Sequence, residues 1–187
     1  MIRLTLLCHG ATEATRAAAF PRDEPLEPRA LAATRALRGT LSPARVRVSP
    51  ALRTRQTAEA LGFDGATVDP ALRDRDPGGW AGASLARLIA RDPAAIEAFL
   101  TDPRARPGGD GDSTAGLVAR LGDWLGRLPP EPGQTLAITH ADVMRALVIH
   151  VLGAPLAAFG RVDVPPLTTL ELVSDGRRWL WRAARAS

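Results

Sequence analysis

Two histidines in this chain each stand directly after a short apolar run. His9 follows the run from Ile2 to Cys8 and precedes Gly10, and His140 follows residues 135–139. A histidine at the end of a buried strand can present an imidazole nitrogen to a ligand, and the glycine after His9 lets the backbone turn sharply there. A lone histidine of this kind is more often a half-buried structural residue. Neither histidine identifies a site without its neighbours.

An arginine and an acidic loop add charge of both signs. Arg53 falls in the first turn of a predicted helix, where free backbone N–H groups and the helix dipole favour an anion, and a guanidinium offers bidentate donors matched to phosphate oxygens. Asp74 and Asp76 lie in a glycine-containing loop at residues 72–82. Taken separately, Arg53 also fits a solvated helix face, and either aspartate fits a charged surface loop.

The segments that must position these side chains alternate between strand-like and helix-like patterns. Apolar runs predict strands at residues 2–8, 45–49, 66–68 and 135–139, and a terminal hairpin of 168–173 with 179–182. Helical spacing with proline or glycine boundaries predicts helices at 28–41, 50–61, 85–90, 94–100, 113–128 and 142–152, and a turn at 129–133. This order predicts an α/β three-layer sandwich with a mostly parallel central sheet and helices on both faces. Ligands bind at the carboxyl ends of such strands, where the histidines and Arg53 fall.

Composition limits the classes of function. The 187 residues carry a net charge of +4 that comes from arginine alone, because the sequence has no lysine. The arginines are interleaved with acidic residues and form no basic stripe, which argues against nucleic-acid binding. No apolar run is long enough to span a bilayer, and no secretory signal is visible. With a single cysteine, Cys8, the chain fits the cytoplasm and no membrane association is expected; a homodimer is left open.

Together these segments resemble the histidine phosphatase (phosphoglycerate mutase-like) superfamily in kind, order and spacing across nearly the whole chain. Members begin with a strand ending in Arg-His-Gly and a threonine one residue on, which is matched here by His9, Gly10 and Thr12. Their Ser-x-x-x-Arg-x-x-Gln-Thr-Ala segment is matched by Ser49, Arg53, Gln56, Thr57 and Ala58.

The remaining motifs of the family follow in the same order. Its acid loop, Leu-x-Glu and then Gly-x-Trp-x-Gly, is matched by Leu72, Asp74, Gly78, Trp80 and Gly82. Its Pro-Gly-Gly-Glu-Ser segment resembles residues 107–113 with Asp110 or Asp112 as the acid, and its second histidine motif resembles 139–145. The segment 23–26 also resembles the family's Asp-x-Pro-Leu. Five motifs in register make the resemblance specific.

The resemblance implies a phosphomonoester hydrolase that works through a phosphohistidine. It assigns the nucleophile to His9, the binding of phosphoryl oxygens to Arg53 and His140, and the acid and base to Asp74, with Asp76 as the alternative acid. Gly10, Thr12 and Ala141 would complete substrate binding. The substrate would be a small phosphorylated metabolite, with inorganic phosphate as product, and no metal or cofactor would be needed. Residues 1–187 would form one domain, with 70–111 as an insertion of loops and helices over the active site.

One departure concerns the arginine that the family places before the nucleophile, because this chain has Cys8 there. Loss of one such donor could cost roughly 3 kcal/mol of transition-state stabilisation. Arg16, Arg22 and Arg145 are candidates to compensate, and the sequence does not choose among them. The alternative is a catalytically degenerate, regulatory domain of the same fold that binds a phosphorylated ligand or partner as a sensor.

Other readings of these residues are less favoured. Cysteine phosphatases carry an arginine six residues beyond the cysteine, where this chain has Ala14, so a buried and inert Cys8 is preferred. No Gly-x-Ser-x-Gly elbow is present, and the histidines lack the usual zinc spacings. Trp80 is expected to wall the pocket and His150 to be structural. The remaining tryptophans are expected to be core or packing residues: Trp124, Trp179 and Trp181.

Overall fold

A computed structural model describes residues 1–129, 131 and 133–183 as a six-stranded sheet with helices around it. The strands are β1 (Ile2–Cys8), β2 (Arg45–Val48), β3 (Thr67–Val68), β4 (Gln134–Thr139), β5 (Thr169–Ser174) and β6 (Trp179–Arg182). The helices are α1 (Glu13–Arg16), α2 (Pro28–Ala36), α3 (Leu52–Leu61), α4 (Leu85–Arg91), α5 (Pro93–Thr101), α6 (Thr114–Gly126) and α7 (Ala141–Leu152). Every predicted strand is present, and the short α1 is an element that the sequence pattern did not predict.

The sheet has the strand order β3-β2-β4-β1-β5-β6. Strands β3, β2, β4 and β1 are parallel, whereas β5 and β6 run antiparallel as the terminal hairpin. The predicted mostly parallel sheet is therefore confirmed. In the register between β1 and β4, Cys8 lies opposite Thr139. Because parallel strands end at the same edge of a sheet, this register brings His9 and His140 to neighbouring positions.

Two apolar clusters cover the two faces of the sheet. On one face, Leu4 and Leu6 of β1 pack with residues of α6 and α7 such as Leu121 and Leu147. On the other face, Leu7 of β1 packs with residues of β2, β4 and α3. The alternation of side chains along a strand sends its neighbours to opposite faces, which is why one strand serves both clusters and helices lie on both sides.

The tryptophans divide differently from the prediction. Trp124 is buried in the cluster under α6, and Trp179 is partly buried against the same cluster. Trp181 is 51% exposed, so it is not a core residue. It lies on β6, the edge strand of the sheet, which has a pairing partner on one side only.

Residues 70–111 carry a small apolar cluster of their own. Trp80, Leu88 and Ile96 are buried there, and Phe20 and Phe99 pack against them. Trp80 lies 5.2 Å from the ring of Phe20 and 5.3 Å from that of Phe99, measured between ring centroids. Trp80 thus packs inside this segment and does not wall the cavity beside His9.

Among the described helices, none combines the length and apolar character needed to cross a membrane.

Several boundaries differ from those predicted. The helix expected at 28–41 ends at Ala36, and Gly39 adopts a positive φ of 82°, which an α-helix cannot continue through. The helix expected from residue 50 begins at Leu52 and ends, as predicted, at Gly62 in the left-handed conformation. The turn expected at 129–133 includes residues 130 and 132, which lie outside the described residues.

Candidate active site

His9 is held at the end of β1 with one ring nitrogen committed. Its backbone N–H donates to the carbonyl of Thr139 at 2.9 Å, and its Nδ1 lies 2.7 Å from the carbonyl oxygen of Gly10. A carbonyl only accepts, so Nδ1 carries the proton and donates, which leaves the lone pair on Nε2. A Cβ on Gly10 would approach Leu26 and Thr34 at 3.2 Å, so this turn has little room for a side chain.

Arg53 reaches the unprotonated nitrogen of His9 from the first turn of α3. The guanidinium is buried, and its Nε lies 3.3 Å from Nε2 of His9. Its Nη1 donates to the carbonyl of Arg22 at 2.8 Å, and its Nη2 donates to Oδ2 of Asp74 at 2.7 Å. The orientation of this guanidinium is therefore fixed on three sides.

His140 lies next to His9, with the two ring centroids 5.2 Å apart. It is fully buried, and its Nε2 lies 2.7 Å from Oγ of Ser49. Its Nδ1 lies 3.2 Å from Oδ2 of Asp74 but is not aligned for a hydrogen bond. If the Ser49 hydroxyl donates to Nε2, the imidazole is neutral and its Nδ1–H is directed towards Asp74.

Asp74 is the aspartate of the acid loop that enters the site. Its Oδ2 contacts Arg53 and His140, and its Oδ1 accepts from the backbone N–H of Arg75 at 2.9 Å. Asp76 is exposed and accepts from the backbone N–H of Gly78. The structure therefore places Asp74, and not Asp76, beside the two histidines.

The loop that carries Asp74 is fixed by an arginine that sequence reasoning missed. Arg120 of α6 donates through Nη1 to the carbonyls of Ala71 and Arg73, at 2.6 and 3.0 Å, and through Nη2 to that of Asp74 at 3.3 Å. Three carbonyls held by one side chain fix the path of the loop. An arginine on a helix about 50 residues away gives no local sequence signal of this role.

Burial and charge set the protonation states of the site. Burial and the charge of Arg53 lower the pKa of His9, and burial lowers the pKa of His140 to about 3. Burial alone would raise the pKa of Asp74, but the neighbouring His140 and Arg53 lower it overall. Because His140 is neutral at neutral pH, Arg53 is the cation that keeps Asp74 ionised there.

A cavity opens beside His9 and is bordered by groups of both signs. Its charged walls are Asp74, Arg75 and Asp142, and Ala141 borders it at the start of α7. Thr12 does not reach this cavity: it is 1% exposed, and its hydroxyl donates to Glu24 at 3.0 Å. Gly10 likewise contributes the turn after His9 and not a wall of the cavity.

Cys8 lies under the site as a neutral thiol. It is 2% exposed, and burial together with the charge of Asp74 raises its pKa to about 12. A thiolate is the nucleophilic form of cysteine, so Cys8 is not equipped for attack at neutral pH. The geometry agrees with the interpretation of Cys8 as a buried, inert residue.

These protonation states predict a dependence of stability on pH. The unfolded chain takes up protons at His9 and His140 near their ordinary pKa of about 6.5, whereas the folded chain resists this uptake. We therefore expect the free energy of unfolding to fall as the pH drops from about 6.5 towards 3. Urea unfolding at a series of pH values measures this slope, which should be shallower in His140→Gln. A slope that His140→Gln leaves unchanged would contradict the prediction.

Comparison with known proteins gives the family. The model of the histidine phosphatase superfamily (branch 1) matches residues 4–186. A search of curated proteins finds no significant match. Among solved structures, TTHB049 from Thermus thermophilus is 31% identical with a TM-score of 0.76, over 98% of this chain and 100% of that one.

Two further structures are named as phosphatases. The mycobacterial glucosyl-3-phosphoglycerate phosphatase Rv2419c, in complexes with VO3, is 25% identical with a TM-score of 0.85, over 100% of both chains. A phosphoserine phosphatase from Entamoeba histolytica has a TM-score of 0.85 over 98% of this chain and 96% of that one, at 16% identity, which shows the fold alone. The family match and the glucosyl-3-phosphoglycerate phosphatase support a phosphatase-type activity. With a family match that runs through almost all of its residues, this chain belongs to the histidine phosphatase superfamily, branch 1.

Proposed function

We propose that this protein hydrolyses small phosphomonoesters through a phosphohistidine formed on His9. The observation that carries the proposal is the state of the His9 ring. Its Nδ1–H is committed to the carbonyl of Gly10, and its unprotonated Nε2 lies beside a buried guanidinium. A neutral imidazole fixed in this tautomer is a competent nucleophile towards phosphorus.

The first step is an in-line attack of His9 Nε2 on the phosphorus. The N–P bond forms while the P–O bond to the leaving alcohol breaks, and protonated Asp74 supplies the proton that this oxygen needs. Arg53 and the Nδ1–H of His140 donate to the equatorial oxygens, where negative charge must be stabilised in the transition state. In the second step Asp74 accepts a proton from water, water attacks the phosphorus, and the N–P bond breaks to release inorganic phosphate.

The contacts of Asp74 explain how it could become protonated. In the structure its carboxylate occupies donors of Arg53 and faces His140. A phosphoryl group bound to the same donors would displace this carboxylate and place a second anion beside it. Both changes raise the pKa of a carboxyl group. Substrate binding therefore favours the acid form that the first step requires.

Trapping of the intermediate tests this mechanism. When a ³²P-labelled aryl phosphate is mixed with the protein and quenched in alkaline denaturant, we expect label that is stable to base and released by acid, as a phosphohistidine is. The label should be absent in His9→Ala and retained in His150→Ala, because His150 is exposed on α7, away from the cavity.

A partition experiment covers the case in which the intermediate does not accumulate. In water containing glycerol, a common phosphohistidine gives one fixed ratio of glycerol phosphate to inorganic phosphate for every aryl leaving group. A ratio that changes with the leaving group, together with no label on the protein, would overturn the phosphohistidine mechanism.

The second candidate function is a phosphate-binding sensor of the same fold. Cys8, in the position of the family's first arginine, is the observation that favours it, because a buried neutral thiol supplies no charge to a phosphoryl group. The neutral His9 and the carboxylate of Asp74 favour the enzyme, since a binding site needs neither a nucleophile nor an acid.

A further inference from the structure

The cavity beside His9 has a cation on its wall, but this cation is not Arg53. Asp74 and Arg75 border this cavity together with His9, whereas Arg53 borders an adjoining groove that Asp74 and Arg75 also line. The charge of Arg53 is moreover paired with Asp74 at 2.7 Å. An anion that enters this cavity therefore has Arg75 on its wall, while Arg53 lies 3.3 Å from Nε2 of His9.

Arg75 is buried in a fixed orientation. The side chain is 7% exposed, its Nε donates to the carbonyl of Asp112 at 2.9 Å, and its Cζ lies 4.3 Å above the centre of the Phe99 ring. A planar guanidinium that lies over a ring and donates through Nε keeps its outer edge, Nη1 and Nη2, in one direction. The residue is thus held in place before any ligand binds.

The outer edge of this guanidinium lacks an adequate partner. Nη2 is buried and has no hydrogen-bond acceptor among the described residues, and Nη1 lies 3.8 Å from Oδ2 of Asp142, too far for a hydrogen bond. A buried donor without a partner is disfavoured, and one on a charged group especially so. Burial also lowers the pKa of Arg75. A bound anion would relieve this deficit with two parallel hydrogen bonds.

The three arginines that sequence reasoning offered as substitutes do not occupy this place. Arg16 is exposed and paired with Glu27 at 2.8 Å, and Arg22 is exposed and offers its carbonyl to Arg53. Arg145 donates through Nε to the carbonyl of Val162 and through Nη1 to Asp142, and it borders the neighbouring cavity.

We propose that Arg75 is the second arginine of the phosphoryl pocket, and that it supplies from the acid loop the donors that Cys8 cannot supply from β1. This inference rests on the proposed function for its place in the reaction. The binding of inorganic phosphate tests it separately from turnover.

The test combines removal of Arg75 with restoration of the family's arginine. Phosphate affinity is measured by titration calorimetry, and kcat/KM is measured with an aryl phosphate, for the wild type, Arg75→Met, Cys8→Arg and the double variant. We expect Arg75→Met to lose about 10²-fold or more in kcat/KM, as expected for a lost transition-state donor, and to bind phosphate at least about tenfold more weakly. In the Arg75→Met background, Cys8→Arg should raise both phosphate affinity and kcat/KM by at least about tenfold. In the wild-type background the same substitution should raise them much less, as expected for two groups that bind one ligand.

A matched control separates contact with the ligand from a general loss of positive charge. Arg16→Met removes the same charge from an exposed side chain that borders neither the cavity beside His9 nor the adjoining groove, and it should cost less than about threefold in phosphate affinity, because exposed charges act weakly at a distance. If Cys8→Arg does not fold, Arg75→Lys is measured in its place. Lysine keeps the positive charge but lacks the paired N–H donors of a guanidinium, so its phosphate affinity should lie between those of the wild type and Arg75→Met.

The outcomes distinguish the two proposals. Phosphate affinity and kcat/KM within twofold of the wild type in Arg75→Met would overturn the role of Arg75 and leave the phosphatase standing. Phosphate binding that depends on Arg75 in a protein without turnover would support the role of Arg75 and overturn the enzyme. Equal losses in Arg75→Met and Arg16→Met would overturn the specific contact.

Discussion

Replacing His9 with alanine is expected to lower kcat/KM for aryl phosphates by at least about 10⁴-fold, the scale on which enzymes lose activity with their nucleophile. The variant loses the nitrogen placed to attack phosphorus from the cavity, whereas Arg53, Arg75 and His140 remain to bind the anion. Inorganic phosphate should therefore bind to His9→Ala within a few-fold of its affinity for the wild type. Phosphate release and titration calorimetry measure the two quantities.

Two controls are needed to interpret the loss of kcat/KM in His9→Ala. His150→Ala removes an exposed histidine of α7 and should keep full turnover. Circular dichroism shows whether His9→Ala retains the fold, which needs checking because the His9 side chain is buried. Turnover that survives in folded His9→Ala would mean direct attack by water. A silent wild type that binds phosphate would favour the sensor.

The sequence was sufficient to bring the two histidines together because strand geometry is a local property. Each histidine follows an apolar run, and parallel strands end at one edge of the sheet. Because Cys8 pairs with Thr139 in the sheet, the rings of the two histidines that follow them are in contact. Arg53 follows from the same logic, since it opens the helix after the neighbouring strand β2.

Strand geometry does not predict which side chain of the acid loop enters the site. Asp74 and Asp76 are two residues apart in a loop with no periodicity, so their side chains could not be ranked without the path of the backbone. That path depends on Arg120, whose three carbonyl contacts join segments about 50 residues apart. Arg75 was missed for the same reason, because Phe99 and Asp112, which hold it, are distant in sequence.

The boundaries of helices were limited by a different cause. Alanine-rich sequence between residues 28 and 38 has high helix propensity, and the spacing of Leu31, Leu37 and Leu41 extends the helical pattern past Gly39. The chain instead leaves the helix after Ala36, Gly39 adopts a positive φ of 82°, and Leu41 packs against the apolar cluster between the sheet and α3. Tertiary packing, and not propensity, decides where this helix ends.

Replacing Asp74 with asparagine is expected to affect substrates according to their leaving groups. The alcohol of an alkyl phosphate leaves as an unstable alkoxide unless its oxygen receives a proton. The kcat/KM for an alkyl phosphate should therefore fall by about 10²–10⁴-fold, the range for general acid catalysis. The phenolate of p-nitrophenyl phosphate is stable without a proton, so its kcat/KM should fall by less than about tenfold. The ratio of the two losses is the measurement.

The pH dependence of kcat/KM indicates where the proton for the leaving group comes from. Arg53 keeps Asp74 ionised in the free protein, so the required proton must arrive with the substrate monoanion or be taken up on binding. For the alkyl phosphate, kcat/KM of the wild type should therefore decline as the pH rises above about 6, the second pKa of a phosphomonoester.

The comparison of substrates also separates acid catalysis from a structural effect. Asp74→Asn removes the carboxylate that pairs with Arg53, and any resulting disorder of the guanidinium weakens both substrates alike. That shared loss cancels in the ratio, and only proton donation to the leaving oxygen distinguishes the two esters. Asp76→Asn is the matched control, because Asp76 is exposed and its carboxylate accepts from the backbone of its own loop. Equal losses for both esters in Asp74→Asn would mean that Asp74 positions Arg53 and that the acid lies elsewhere.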